Sequence, residues 1–290
     1  MQIQTNEVNF PVKEVNPLWY KLKKNPMTLI GLSVMGVIIL LSLAAPLLTS
    51  YDPNKINILD RFQEPTMKHW FGTDEVGRDI FSRILYGARL SLGIGIVSVV
   101  VAAACGTVIG TVAGYFGGKI DQILMRIMDM ILAFPTLILA MALAASLGPS
   151  LQNAMIAIAI VKIPVYVRLA RGETLALREK LFVKAALTFG IKPWRIIARH
   201  IVPNVVSPIV IQLTLDVGDT ILLVATLGFL GLGAQPPTPE WGAMISIGWK
   251  YLLDYWWYAT FPGLFLFLAS GALNLIGDGI RDILDPKSAR

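Results

Sequence analysis

Charge disappears from five stretches of the chain, residues 25–51, 90–118, 130–161, 200–239 and 255–277, apart from Asp216 and Asp219 in the fourth. A helix needs roughly 20 apolar residues to cross about 30 Å of hydrocarbon. The pattern therefore predicts an all-α polytopic membrane protein with about six transmembrane helices. The first runs from about Met27 to Leu48, and the second lies within 90–118. The stretch 130–161 is too long for one crossing, and Gly148-Pro149-Ser150 is a turn signal that divides it. The third crossing then bends or starts at Pro135, and the fourth spans about Leu151 to Val167. The fifth covers about Val205 to Ala225 and the sixth about Trp256 to Leu275. This gives an N-terminal segment 1–26, a first helix 27–48, a loop 49–89 with an amphipathic part, a core 90–280 that includes a loop 168–204, and a tail 281–290.

Within the second crossing Gly106, Gly110 and Gly114 recur every four residues. That register suits close approach of a neighbouring helix backbone. The plainer alternative is that glycine is frequent in membrane helices. In 69–92, Thr73 or Asp74 is suited to cap a helix in which Ile80, Phe81, Ile84 and Leu85 form an apolar stripe, leaving Arg78, Asp79 and Arg83 outside it.

Composition agrees with a membrane protein. The chain is 55% hydrophobic and 15% charged, where a soluble domain carries about 25% charge. The net charge of +6 comes from basic residues flanking the apolar runs, so membrane orientation explains it better than nucleic acid, and no nucleic-acid partner is expected. Counted with the termini inside, 17 of the basic residues outside the helices fall in and 7 fall out, which predicts cytoplasmic termini. The aromatic cluster from Trp249 to Tyr258 then lies at the outer interface. The polar N-terminal segment and the length of the first run predict a retained anchor rather than a cleaved signal.

Catalytic chemistry is not expected. Cys105 is the only cysteine, and His69 and His200 fall on opposite sides of the membrane in this topology. No H-E-x-x-H, G-x-S-x-G or metal-ligand spacing occurs, so no metal site is predicted. The only Gly-Lys dipeptide, Gly118-Lys119, is followed by isoleucine rather than Ser or Thr, so there is no phosphate-binding loop.

Residues 180–204, KLFVKAALTFGIKPWRIIARHIVPN, suggest two short helices. One ends at Gly190, suited to a left-handed position, and one begins at Pro193. The second places Trp194, Ile197 and Ile201 on one face, with Arg195 and Arg199 elsewhere. Two readings stand here: a grip for a cytoplasmic partner, or a basic loop resting on anionic lipid. The segment resembles the EAA motif of ABC importer permeases, in which two short helices joined at a glycine dock onto an ATPase. Ala185, Ala186, Gly190, Pro203 and Asn204 occupy that pattern's positions, and Lys184 stands where glutamate is usual. Three further strings, HWFGTDEVGRDIFSRILYGARLSL (69–92), FLGLGAQPPTPEWGAM (229–244) and NLIGDGIRDILDPK (274–287), resemble the dipeptide/oligopeptide/nickel branch, specifically its second, C-type permease in a dipeptide or D,D-dipeptide group.

The resemblance implies a type I ABC importer permease in a bacterial inner membrane. It would pair with a homologous permease, two ATPases that bind the ATP and magnesium, and an extracytoplasmic solute-binding protein. The coupling residues would be Lys184, Ala185, Ala186, Gly190, Trp194, Arg195, His200, Pro203 and Asn204. Asp74, Arg78 and Asp79 would face the binding protein at the outer gate; a surface helix lying on lipid is the competing reading.

Asp216 and Asp219 are three residues apart, hence on neighbouring positions of one helix. Carboxylates in mid-membrane need water, a cation or a proton. Either they line the translocation path and attract a cationic end of the solute, or they pair with a basic group such as Lys162.

Overall fold

The computed structural model describes residues 25–284; the terminal segments 1–24 and 285–290 lie outside the described residues. Helix dominates what is described, with only an isolated bridge between Thr73 and Asp79 in extended pairing. Helix α1, Pro26–Leu43, opens on Asn25, whose side chain accepts from the Thr28 amide, with Pro26 at the first position. The first crossing, expected as one helix, breaks at Ala44 and resumes as α2, Ala45–Leu48. Pro46 has no amide hydrogen to continue the ladder. The Ser42 carbonyl that it would have bonded instead accepts from the Arg89 guanidinium at 2.8 Å.

Helix α3, Ile80–Phe116, has 37 residues and is about 55 Å long. It absorbs the expected amphipathic segment, and its cap is Asp79, which accepts from the Ser82 amide at 2.8 Å, rather than Thr73 or Asp74. Helix α4, Gly118–Leu132, and α5, Thr136–Leu147, meet at a 94° bend across 133–135. The bend falls at Pro135, as the sequence predicts. Twelve residues of α5 rise only about 18 Å, so the third crossing is a broken element rather than a straight helix. Helix α6, Leu151–Arg178, starts from a Ser150 cap and runs eleven residues beyond the expected end at Val167.

Next come α7, Leu181–Thr188, and α8, Pro193–Ile196, followed by a π-helical turn, Ile197–Ile201, and α9, Val202–Phe229. Helix α10, Trp241–Trp249, was not anticipated; α11, Trp257–Leu284, ends the described fold. Among the described residues five helices are long and apolar enough to cross a membrane, or six with the bent pair as one span.

The spine of the molecule is α3 against α6. A methyl group added to Gly106 would lie 2.4 Å from Tyr166 Cβ, and one on Gly110 would lie 2.4 Å from the Val167 carbonyl oxygen. Gly114 meets the Arg171 carbonyl at 2.9 Å in the same way. Three glycines one turn apart thus bring two backbones into contact over about 12 Å of helix, the packing reading of that spacing. Around this spine lies one buried cluster with Val99, Tyr166, Ile201 and Ile221, and a second between α1, α3, α10 and α11 around Trp241.

Candidate docking and translocation sites

The segment after α6 folds as a helical elbow. Helix α7 closes with Gly190 at φ +72°, its amide bonded to the Leu187 carbonyl at 2.9 Å while the Ile191 amide bonds to Ala186 at 3.1 Å. These are the two bonds of a glycine-terminated helix end. Pro193 then starts α8. The expected second short helix does not stop: with the π turn and α9 it forms one helical span from Pro193 to Phe229. Pro203 explains the π turn, because it lacks the amide that would bond back four residues. The Asn204 side chain donates to the His200 carbonyl at 2.7 Å, so this Pro-Asn pair shapes the joint between elbow and membrane helix.

The buried face is also shifted from the expected one. Ile196, Ile197 and Ile201 are buried with Val183 and Ala186, whereas Trp194 points outward at 63% exposure, its ring against Phe116. Leu181, Phe182, Leu187 and Phe189 are exposed beside Trp194, interleaved with exposed Lys184, Ala185, Lys192 and Arg195. Lys184 pairs with Glu179 at 2.8 Å. His200 is half-buried over Phe182. The elbow thus exposes large apolar side chains interleaved with basic ones.

Inside the membrane region the two aspartates part company. Asp216 is buried, 3.4 Å from Lys162 Nζ, and accepts from the Tyr166 hydroxyl at 2.8 Å. Asp219 is exposed on the bare side of α9. The expectation that both share one environment fails because three residues of helix leave them about 60° apart. The boundary between buried and open surface falls within that angle. Tyr166 is a partner the sequence reading missed. It stands one turn from Lys162 on the same face, a spacing that points to a shared neighbour.

At the opposite end of the bundle, the 49–79 loop is pinned by buried charges. Asp74 accepts from Arg78 Nε at 2.6 Å and from the Arg78 amide at 2.9 Å. Asp79 joins His69 Nδ1 at 2.9 Å as well as capping α3. Arg83 donates to the carbonyls of Pro53 and Pro237, joining this loop to the 230–240 turn, and Tyr258 of α11 bonds Glu75. The expectation that Asp74, Arg78 and Asp79 present themselves to a partner is therefore corrected: all three are buried. An apolar stripe with a polar reverse implies one wet face, but the start of α3 is inserted between two loops, so its polar side is enclosed too. Glu240, also unanticipated, is buried at the start of α10, accepting from the amides of Gly242 and Ala243 and from Ser91. Burial raises its carboxyl above the usual range, and the two amides oppose that shift.

A bundle of long apolar helices with a charged pair buried among them and an apolar, basic elbow at one end is the architecture of a multi-pass membrane protein. The chain belongs to the binding-protein-dependent transport system inner membrane components, whose family model matches residues 106–290. Residues 17–65 match the N-terminal transmembrane domain of oligopeptide transport permease C. The chain is similar to the probable D,D-dipeptide transport system permease protein DdpC of Escherichia coli K12, 51% identical over 93% of this chain and 91% of that protein. It is 48% identical to the dipeptide transport system permease protein DppC of Alkalihalophilus pseudofirmus, over 98% of this chain and 96% of that protein. The glutathione transport system permease protein GsiD of Pectobacterium atrosepticum is 43% identical, over 98% and 94%.

Proposed function

We propose that this chain is one of two permease subunits of an ATP-driven importer for short peptides, with both termini cytoplasmic. Separate ATPases, which bind the ATP and magnesium, dock on the 180–204 elbow, and an extracytoplasmic binding protein delivers the solute. The peptide reading is supported by the names of the relatives. The docking reading rests on one observation: the elbow that exposes Leu181, Phe189 and Trp194 continues as a single helical span into the helix that carries Asp216 and Asp219. A helical span that continues from the elbow to these aspartates passes a displacement at its base toward the middle of the membrane. ATP then favours one orientation of the bundle to the extent that it binds the closed ATPases more tightly. Delivery of solute falls to the exposed Leu59, Met67 and Trp70 of the 49–79 loop, which Asp74, Arg78 and Asp79 hold in place.

Gly190→Val tests the docking. A Cβ there meets no neighbour within 4 Å, so the main effect is to force a β-branched residue to φ +72°, about 1–2 kcal/mol of strain at the elbow. The variant is expected to insert normally but to co-purify poorly with the ATPases. Wild-type recovery of ATPases and wild-type solute-stimulated hydrolysis would refute the docking role. Uptake of labelled dipeptide by the reconstituted importer tests the substrate class.

A further inference from the structure

Asp216 and Asp219 are the only charges between Val202 and Phe229, and the structure gives them different surroundings. Asp216 is paired within the chain with Lys162 and accepts a hydrogen bond from Tyr166. Asp219 makes no hydrogen bond or ion pair with any described residue. It lies about 5 Å along the axis from the midpoint of α9. One turn to either side on its own face of α9 lie Leu215, Leu222 and Leu223, none able to satisfy a carboxylate.

A second unpaired polar group lies against the preceding residue of α9, Gly218. The Asn274 carboxamide of α11 also lacks a hydrogen-bond partner among the described residues. It rests on Gly218, the residue before Asp219, and a methyl group there would fall 2.1 Å from Asn274 Oδ1. Ser270, one turn earlier on α11, is by contrast satisfied by the Gly218 carbonyl at 3.2 Å. Two oxygens able to accept from a cation are thus left without partners at one level of the membrane, while the carboxylate one turn away is fully provided for. An ionisable side chain at this depth faces a water-filled path or a cation.

We propose that Asp219, assisted by the Asn274 carboxamide, is the point in the path that receives the ammonium group of a peptide N-terminus. An ammonium offers three N–H donors and a full positive charge, which matches a carboxylate and a neighbouring amide oxygen that have no donors of their own. The assignment rests on the peptide-importer reading above and refines it: of the two aspartates, Asp219 handles solute and Asp216 holds helices together.

Because Cys105 is the only cysteine of this chain, charge can be removed and restored at a single site of this subunit. The test uses the complete importer in proteoliposomes, with Asp219→Cys in a Cys105→Ala background and Cys105→Ala alone as the control. Dipeptide uptake should fall at least tenfold in the cysteine variant, with the second permease and the ATPases still co-purifying. Reaction with a sulfonatoethyl methanethiosulfonate, which restores a negative charge, should bring uptake back to within threefold of the control. The trimethylammonium-ethyl reagent should not. Uptake near the control level before any reaction would overturn the assignment, as would equal effects of the two reagents or no reaction at all. Loss of the second permease from the variant complex would overturn it as well, showing that Asp219 pairs with that subunit. If the Cys105→Ala control takes up no dipeptide, the peptide reading fails and takes this assignment with it; every other adverse result removes the assignment alone.

Discussion

Substituting alanine at Gly110 probes the contact on which the bundle is built. The added methyl carbon would lie 2.4 Å from the Val167 carbonyl oxygen and 2.8 Å from Ala170 Cβ, against 3.4 Å for ordinary contact. Helices α3 and α6 must therefore part by about 1.0 Å at that level, the difference between 3.4 and 2.4 Å. The obstruction is backbone and cannot rotate aside. Separation also loosens the contacts at Gly106 and Gly114, one turn to either side. Overpacking of a tight interior costs about 1–3 kcal/mol, and the helix propensity gained by alanine returns at most about 1 kcal/mol. A net loss of about 1–2 kcal/mol is expected. Gly93 on the same helix is the control: nothing lies within 4 Å of its added methyl group, so Gly93→Ala should be neutral or slightly stabilising. Thermal unfolding in detergent, followed by tryptophan fluorescence, should show a midpoint several degrees lower for Gly110→Ala and unchanged or higher for Gly93→Ala. A Gly110→Ala midpoint at or above wild type would refute the close contact, and equal losses in the two variants would assign the effect to backbone flexibility instead.

Two further outcomes follow from the buried charges. Asp216→Asn leaves Lys162 without its counter-ion and should cost about 3 kcal/mol, while adding Lys162→Met should recover most of the loss; a double variant as unstable as the single would disprove the pairing. Burial raises the Glu240 carboxyl, so the folded state holds its proton more tightly than the unfolded chain. The stability this contributes is fully present below the unfolded value and is lost as pH rises through the raised one. Thermal midpoints measured from about pH 4 to about pH 8 should show that slope in wild type and its absence in Glu240→Gln; identical profiles would rule it out.

Much of the architecture was legible in the chain because hydrocarbon imposes a rule that local composition must obey. A span without charge crosses, Gly148-Pro149 turns, Pro135 bends, and three glycines in register pack. Gly190 and Pro193 declared the elbow in the same way, since each restricts its own backbone. Where α3 begins was not legible, because the polar side of residues 78–83 is the same whether water or a folded loop surrounds it. Tertiary structure decided that, through Pro53 and Pro237 supplying carbonyls to Arg83 from opposite ends of the chain. It also decided the aspartates. Spacing put Asp216 and Asp219 about 60° apart on one helix, but only the positions of α6 and α11 made one of them a paired strut and left the other open. Burial belongs to the neighbours of a residue, and those neighbours lie 54 positions away at Lys162 and Asp216, beyond the reach of any local pattern.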